Sequence, residues 1–431
     1  MTNFVLSPEN SYLLPFEEGT WKLSLLTLNA HSEHRRPSSP YLYVGRRIIS
    51  YQNEILTLGV TIERDGEEEK VCLKVLREHL QVSCSVDTTS AYLSYHAYHC
   101  LERMMNYDQS VDFEKYYWPN FFTPKMGKSK FLTIINDRMG LDIELKPNYS
   151  SFYKPGAFLL QDLQPQDLPL SYEDASREVP QLVLDEEVLS FFVTKRYQLF
   201  KQYTSLPFLL ACEGRLKKDR SAVKQYRTLI TDSADVVILL NAVQEQLMNY
   251  VGEMLPFDNK TFHIKNGSAR SNWPEEVHQL FNTWQKAWPL VAVQPFLKCY
   301  LLGRTENYKV KPYRNWIINI QPSLLVPQLC VVCNMRNEYL EISLCVKVDG
   351  KLHTIAYADY LFFVQDEHRN FYLLGSLQDV ELVQWFKKYN FCFSVLKCHF
   401  EGDVSAFLKQ LETIYEVRYQ NGKSRSKINN N

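Results

Sequence analysis

Hydrophobic and polar residues alternate over much of residues 21–86, and this period of two is typical of β-strands with one buried face. Four segments with the pattern begin at Trp21, Arg47, Ile55 and Val71. The sequence Arg64-Asp-Gly-Glu between two of them predicts a hairpin turn. A helix is predicted at about Ser90–Met105, after the polar run that starts at Asp87. Residues 1–128 are therefore predicted to form a β-rich domain with one strand–helix element.

Strand patterns and helix patterns alternate in the next part of the chain. Strands are predicted at Phe131–Ile135, Leu141–Leu145, Val188–Arg196 and Pro207–Arg215. Helices are predicted at about Ser221–Ile230 and Ala242–Met254. The loop Leu163–Pro169, which contains two prolines, interrupts the series. We assign residues 129–256 to a second, α+β domain.

The remaining residues predict a third α+β domain at 257–420. It opens with a helix at about Pro274–Lys286, because Pro at the first helical position followed by acidic residues is a typical helix start. Strands are predicted at Trp316–Ile320, Cys330–Cys333, Leu340–Val348, Leu352–Tyr357, Phe371–Leu374 and Tyr415–Tyr419. The sequence Val348-Asp-Gly-Lys between two of them predicts a hairpin turn. Further helices are predicted after the cap residue Ser376 and near Val404–Leu411. The polar tail 421–431 is predicted to be disordered. The fold class expected is a multi-domain α+β protein with mixed or antiparallel sheets and flanking helices.

The charge balance excludes non-specific coating of nucleic acid, since 48 Lys and Arg against 49 Asp and Glu give a formal net charge of −1. Contact with nucleic acid would have to come from local basic segments. Two such segments are present, and their candidate contact residues are Arg215, Lys217, Lys218, Arg220, Lys224 and Arg227 in the first and Lys309, Lys311, Arg314 and Trp316 in the second. Aromatic residues beside the second segment could stack on bases. The alternative is that these basic residues belong to an ordinary solvated loop and helix face and contact no nucleic acid.

The location expected is the cytoplasm. The N-terminal segment has no basic region followed by a long apolar region, so no secretory signal is expected. The longest apolar stretch, near Val236–Val243, is too short to span a bilayer, so no membrane partner is expected. Ten cysteines without a framework spacing are typical of reduced thiols in the cytosol.

Soft metal ligands gather at only one place, Cys84, His96, His99 and Cys100. Zinc prefers four nitrogen or sulfur ligands in a tetrahedron, and His96 and His99 share one face of the predicted helix. The segment resembles the SWIM zinc finger, in which Cys-x-Cys is followed by Cys-x-His. Cys84 matches the first Cys and His96 the His, but Val86 and Ser94 occupy the positions of the other two. We therefore expect a degenerate metal site at Cys84, His96 and His99 and no cofactor; bound zinc, completed by His99 or Cys100, is the alternative.

Three other patterns are interpreted as structural. Cys330-Val-Val-Cys333 lies in a predicted strand, where residues three apart point to opposite faces, so it is expected in the core and not in a redox site. Lys128 resembles the end of a phosphate loop, but Thr123 occupies the position of the required glycine, and a strand pattern follows. The carboxylate runs near Glu67 and Asp185 have no histidine nearby. No catalytic residue is assigned, and no enzyme activity is expected.

The order of several motifs resembles the accessory region that precedes the motor in bacterial Swi/Snf-type helicases. After the SWIM-like element, the segments that carry this resemblance are Tyr116–Pro119, Lys130–Ile134, Leu340–Val346, Phe371–Leu374 and Asp403–Val417. The resemblance covers most of the chain, although the ATPase lobes are absent. It implies a non-catalytic, nucleic-acid-associated or helicase-accessory module that works with a separately encoded motor. The alternative is a protein-assembly component with no nucleic-acid role, which would use aromatic surfaces as interfaces. A hidden enzyme would need a pocket that gathers distant histidines and acids.

Overall fold

The computed structural model divides the chain into two compact units. Unit 1 comprises Met1–Leu159 and Ser394–Val404, and unit 2 comprises Leu160–Phe393 and Ser405–Asn431. The structure describes residues 10–33, 43–63, 66–86, 88–105, 109–123, 127–137, 140–149, 151–161, 163–165, 172, 187–199, 203–263 and 273–421. The predicted three-domain division at 1–128, 129–256 and 257–420 stays a prediction.

In its described residues, unit 1 is built mainly from antiparallel strands with two α-helices. Its strands are β1 (Tyr12–Pro15), β2 (Lys22–Ser24), β3 (Val44–Gln52), β4 (Ile55–Ile62), β5 (Glu68–Val75), β6 (His79–Cys84), β7 (Ser110–Asp112), β8 (Phe122–Thr123), β9 (Lys128–Ser129), β10 (Leu132–Asp137), β11 (Gly140–Leu145) and β12 (Ser151–Phe152). Its helices are α1 (Leu25–Ala30) and α2 (Tyr95–Met104).

The main sheet of unit 1 has five strands in the order β1-β6-β5-β4-β3, and every neighbouring pair is antiparallel. The alternating sequence explains its core, since Leu58, Val71 and Val82 are at most 1% exposed. Helix α2 packs against strands β3 to β6 with an apolar face that includes Ala97 and Leu101, both fully buried. The predicted strand–helix element is thereby placed on this sheet.

The described part of unit 2 contains the remaining strands and four α-helices. Its strands are β13 (Glu187–Arg196), β14 (Tyr203–Ser205), β15 (Phe208–Leu216), β16 (Val223–Ile230), β17 (Thr261–His263), β18 (Lys298–Leu302), β19 (Ile317–Asn319), β20 (Gln321–Ser323), β21 (Gln328–Met335), β22 (Tyr339–Val348), β23 (Lys351–Tyr357), β24 (Phe363–Asp366), β25 (Asn370–Leu373) and β27 (Glu416–Asn421), while β26 (Cys392–Leu396) runs across the division between the units. Its helices are α3 (Ala242–Met254), α4 (Glu275–Ala292), α5 (Leu377–Lys387) and α6 (Ser405–Glu412).

Two sheets organise unit 2. The first has the order β16-β15-β13-β18-β19, with β13 and β18 parallel and the other pairs antiparallel. The second runs β22-β23-β24-β25-β20, and β21 lies beside β22 and pairs in parallel with β27. Helices α3 and α4 pack on each other, and α3 also packs on β15. Mostly antiparallel sheets with helices confirm the predicted multi-domain α+β class.

Several local predictions are confirmed. The hairpin between β22 and β23 turns at Asp349-Gly350, where both residues have positive φ, 48° and 77°. Helix α3 has the predicted bounds Ala242–Met254. Helix α5 is capped by Ser376, whose hydroxyl accepts a hydrogen bond of 3.0 Å from the Asp379 backbone N–H. The local sequence signals are consistent with the tertiary structure at these places.

One predicted helix is wrong. The segment Ser221–Ile230 forms strand β16 instead, antiparallel to β15. Its Tyr226 ring packs on Phe192 with centroids 5.2 Å apart, so burial against the sheet decides the conformation. Three other predictions are shifted. Helix α2 begins at Tyr95 because Ser94 caps it, and Trp316 lies in a short 3-10 turn before β19. The strand pattern that begins at Trp21 ends as β2 at Ser24, because the Ser24 side chain caps helix α1.

Six sequence features lie at least partly outside the described residues: the Arg64-Asp65 half of the first hairpin turn, Asp87 before α2, Lys125-Met126 before Gly127, 166–169 of the predicted loop, 185–186 of the carboxylate run at Asp185, and 422–431 of the predicted tail. No helix in the part of the chain that the structure describes is long and apolar enough to cross a membrane.

Candidate nucleic-acid interface

The first basic segment is the tip and outer strand of the β15–β16 hairpin, which we call the basic hairpin (Arg215–Arg227). Its turn is closed by hydrogen bonds from Lys217 N to Ala222 O and from Arg220 N to Lys217 O, both 2.9 Å. Asp219 accepts from the backbone and hydroxyl of Ser221, and these hydrogen bonds lower the pKa of its carboxyl group. The six basic side chains named in the sequence analysis for this segment are all exposed. An ordered turn therefore presents them to solvent.

The second basic segment belongs to the loop between β18 and β19, which we call the basic loop (residues 303–316). A buried arginine, Arg196, anchors its start: its Nη1 donates to the carbonyl oxygens of Gly303, Arg304 and Glu306 at 2.9, 3.1 and 3.1 Å. Arg196 is only 7% exposed. Three carbonyl groups converge on one guanidinium, so the loop has a fixed origin on the sheet.

The charge of Arg196 is balanced by Asp258, which is 2% exposed. Arg196 Nε donates to Asp258 Oδ1 at 2.8 Å, and its Nη2 forms a second hydrogen bond with Oδ2. The hydroxyl of Tyr308, within the basic loop, also donates to Oδ2. Burial raises the pKa of Tyr308, which keeps this phenol protonated and able to donate. A buried arginine–aspartate–tyrosine network therefore fixes the middle of the basic loop as well.

The basic loop and the basic hairpin meet at the edge strand β16. Lys309 N donates to Leu229 O at 3.0 Å, and Leu229 N donates to Val310 O at 2.9 Å. Strand β16 is at the end of its sheet, so the basic loop adds a short pairing to an otherwise open edge. Both segments that the sequence singled out thus adjoin the same strand, β16.

The basic loop also displays aromatic rings. Tyr313 is 62% exposed and Trp316 is 38% exposed, and their ring centroids are 5.5 Å apart. The backbone N–H of Tyr313 donates to the hydroxyl of Tyr300, which itself donates to Glu306. A Cβ atom at Gly303 would lie 3.0 Å from the Trp316 ring, so glycine permits this close approach. The two rings are therefore positioned by the fold and remain accessible for stacking.

Ion pairs engage only part of the positive charge. Arg227 pairs with Glu187 at 2.5 Å, and Lys309 pairs with Asp235 at 2.9 Å; all four side chains are substantially exposed. Exposed pairs of this kind contribute about 0–1 kcal/mol and exchange readily with a phosphate. Five further basic side chains form no ion pair with the described residues: Lys217, Lys218, Lys224, Lys311 and Arg314.

The SWIM-like residues do not fit a zinc ion. Cys84 ends β6 and is 3% exposed, His99 and Cys100 are buried in α2, and His96 is half-buried near its start. Their ligand atoms do not gather at one point. Among the described residues, one group of three or more such side chains has its ligand atoms within 4.8 Å of one another, and that group lies elsewhere in the fold. His99 Nδ1 lies 3.0 Å from Glu102.

The thiols of this region belong to the core. Burial raises the pKa of Cys84, and it raises the pKa of Cys100 to about 12, so both favour the neutral thiol. Ser94, at the position of a missing cysteine, accepts a hydrogen bond from Ala97 N and caps α2. The segment stabilises a strand–helix junction in this structure.

The remaining motifs also have structural positions. Cys330 and Cys333 are fully buried in β21, which confirms that this CxxC lies in the core. Lys128 lies in β9, paired with Thr123 of β8, and the next regular element is strand β10. The phosphate-loop arrangement of a strand, a glycine-rich loop and a helix is therefore not formed at Lys128.

Comparison with known protein families, with curated proteins and with solved structures finds no match. The resemblance to the helicase accessory region stays a prediction.

Two functional features were missed by sequence reasoning. Arg196 ends a hydrophobic strand, and nothing in its neighbours indicates that it anchors a loop about one hundred residues later. His353, Glu367 and His368 form the ligand group mentioned above. A signal existed for the second: His353 lies in the predicted strand Leu352–Tyr357, and the adjacent Glu367-His368 pair shortly precedes the predicted strand Phe371–Leu374, which antiparallel pairing can bring close to it.

Proposed function

We propose that this chain is a non-catalytic, cytoplasmic module that binds nucleic acid and acts with a separately encoded motor. The observation that supports the proposal is the pairing of the basic loop with β16. Because Lys309 and Val310 hydrogen-bond to Leu229, the two basic segments share one sheet edge. Phosphate contacts from such an edge would position a strand, and the adjacent rings would stack on its bases.

The length of the β16 edge limits how much of a nucleic-acid backbone it can contact. Val223 and Leu229 are six residues apart on β16, which corresponds to about 20 Å at about 3.3 Å per residue. Because successive phosphates of one strand in a duplex are about 3.4 Å apart along the helix axis, this edge spans at most about six phosphates. Tyr313 and Trp316 could each contribute about 1–3 kcal/mol by stacking on an unpaired base. Stacking requires exposed bases, so single-stranded DNA or RNA is the expected ligand class.

A second candidate function is protein assembly. Val237 and Leu239 are 82% and 90% exposed and follow Asp235, the ion-pair partner of Lys309. Exposed apolar side chains next to a charged surface are typical of protein interfaces as well. The nucleic-acid proposal is preferred because the positive charge is more extensive than this apolar pair.

The test is a titration of labelled single-stranded DNA, RNA and double-stranded DNA at low salt, followed by fluorescence anisotropy. The parent protein is expected to bind the single strands more tightly than the duplex. A variant with Lys217, Lys218, Lys309 and Lys311 changed to Glu should lose this binding. A matched variant with Lys22, Lys351, Lys397 and Lys409 changed to Glu, which are also exposed but lie outside both segments, should retain it. No binding by the parent, or equal binding by the first variant, would favour the assembly function.

A further inference from the structure

A cluster of three metal-ligand side chains lies on the second sheet of unit 2, apart from the basic surface described above. His353 is on β23, and Glu367 and His368 follow β24 in the turn towards β25. His353 Nδ1 lies 3.5 Å from Glu367 Oε1, and His368 Nε2 lies 3.8 Å from the same oxygen. One ligand atom from each residue lies within 4.8 Å of the others. The two imidazole rings are 5.4 Å apart and nearly perpendicular.

We propose that His353, Glu367 and His368 bind one divalent transition-metal ion of the zinc class. In a tetrahedral site with metal–ligand distances of about 2.0–2.1 Å, neighbouring ligand atoms are about 3.3–3.4 Å apart. The two measured separations are within a few tenths of an ångström of this value. Small side-chain rotations would complete the three-ligand face.

The buried nitrogen of His353 supports a bound ligand at this place. Its Nδ1 is inaccessible to solvent and has no hydrogen-bond partner in the described structure, although Glu367 is near. A buried polar atom without a partner is unfavourable by about 1–3 kcal/mol. A metal ion between His353 and Glu367 would satisfy the nitrogen and the carboxylate together.

The residues around the cluster hold its members in place. Thr354 Oγ1 donates to Glu367 Oε2 at 2.6 Å, which orients the carboxylate and leaves Oε1 towards the histidines. The 1%-exposed Asp366 fixes the turn, since it accepts hydrogen bonds from His368 N, Asn370 N and Asn370 Nδ2 at 2.8–2.9 Å. Ligand carboxylates in metal sites are held by outer hydrogen bonds of this kind.

The donor set selects the class of ion. Two imidazole nitrogens and one carboxylate oxygen suit Zn²⁺, Co²⁺ and Ni²⁺, whereas Mg²⁺ and Ca²⁺ prefer oxygen donors. The side chains of Glu367 and His368 are 37% and 64% exposed, so solvent can reach the remaining coordination position. The site is therefore expected to exchange its metal with the solution.

The test is calorimetric titration of metal-stripped full-length protein with Zn²⁺, with Mg²⁺ as the control cation. We expect one zinc per chain and no saturable Mg²⁺ binding. His368→Ala should weaken zinc binding by at least about 100-fold, and Thr354→Val by about 10-fold, by analogy with ligand and outer-shell substitutions in metal sites. The matched control is His278→Ala, which changes an exposed histidine on α4 and should leave zinc binding unchanged.

Because the His368 side chain is 64% exposed, the His368→Ala variant is expected to fold like the parent, and circular dichroism of each variant checks this. Absorption of bound Co²⁺ supplies a second readout of tetrahedral coordination. Absence of saturable zinc binding, or binding unchanged in both His368→Ala and Glu367→Gln, would overturn the proposal. It would also be overturned if stoichiometric zinc were lost from the Cys84→Ser, His96→Ala variant instead. None of these outcomes depends on binding of nucleic acid.

Discussion

Replacement of Arg196 by Met should strongly destabilise unit 2 and disorder the basic loop. The substitution keeps a side chain of similar length but removes the partner of Asp258 and the donor to three loop carbonyl groups. Asp258 would then be a buried carboxylate with the Tyr308 hydroxyl as its remaining side-chain partner. Loss of one member of a buried ion pair typically lowers the free energy of unfolding by about 3–5 kcal/mol. That is a large part of the about 5–15 kcal/mol that stabilises a typical domain.

Urea unfolding monitored by tryptophan fluorescence measures this effect. The exposed control is Arg227→Met, which breaks an ion pair whose side chains are both 41% exposed and should change the unfolding free energy by about 0–1 kcal/mol. In an Asp258→Asn background, the effect of Arg196→Met should be clearly smaller, because the uncompensated charge is absent. A loss below about 1 kcal/mol for Arg196→Met would refute the anchoring role, since it would place Arg196 among ordinary surface residues.

Three further predictions concern separate parts of the chain. Burial raises the pKa of Asp379 from 3.8 to about 6, so the stability that this carboxyl group contributes is fully present below about pH 4 and is lost as the pH rises through about 6. Relative to the Asp379→Asn variant, the unfolding free energy of the parent should fall by up to about 3 kcal/mol between pH 4 and pH 7. A difference between parent and variant that does not change with pH would contradict this. The Cys84→Ser, His96→Ala variant should contain as much zinc as the parent by elemental analysis, because these residues do not converge on a metal; loss of one equivalent would show otherwise. No ATP or GTP hydrolysis is expected, because Lys128 lies in a two-stranded ribbon and not in a phosphate loop; turnover that disappears in Lys128→Ala would contradict this.

The sequence predicted the elements whose local signals are strong. Helix α3, the Asp349-Gly350 hairpin and the Ser376 cap are each specified by a few adjacent residues, and their structures match. The helix prediction for Ser221–Ile230 was wrong because the polar residues of this segment fit a helix face almost as well as an edge strand. The antiparallel pairing with β15 and the packing of Tyr226 on Phe192, a contact 34 residues apart in the chain, favour the strand.

The sequence identified the candidate residues of the interface but not how the fold brings them together. The basic composition of the hairpin and loop is visible in the sequence, whereas their pairing through Leu229 depends on contacts about eighty residues apart. The same limit applies to the histidine–glutamate cluster, which forms only when β23, β24 and β25 adopt their register. Conversely, the SWIM-like spacing predicted metal ligands at positions that the fold uses for core and cap residues. The prediction failed because a sequence pattern does not specify which way each side chain points.

The salt dependence of single-strand binding tests the central claim, one interface made by two segments, most directly. If the five unpaired basic residues each neutralise one phosphate, the logarithm of the association constant should fall with the logarithm of salt concentration with a slope of about −3.5. The paired substitutions Lys217→Gln with Lys218→Gln, and Lys311→Gln with Arg314→Gln, should each make this slope less steep by about 1.4 on the same oligonucleotide. Parallel reductions by both variants are the result predicted here. A slope near zero in the parent, or a slope that only one of the two variants changes, would contradict a shared interface.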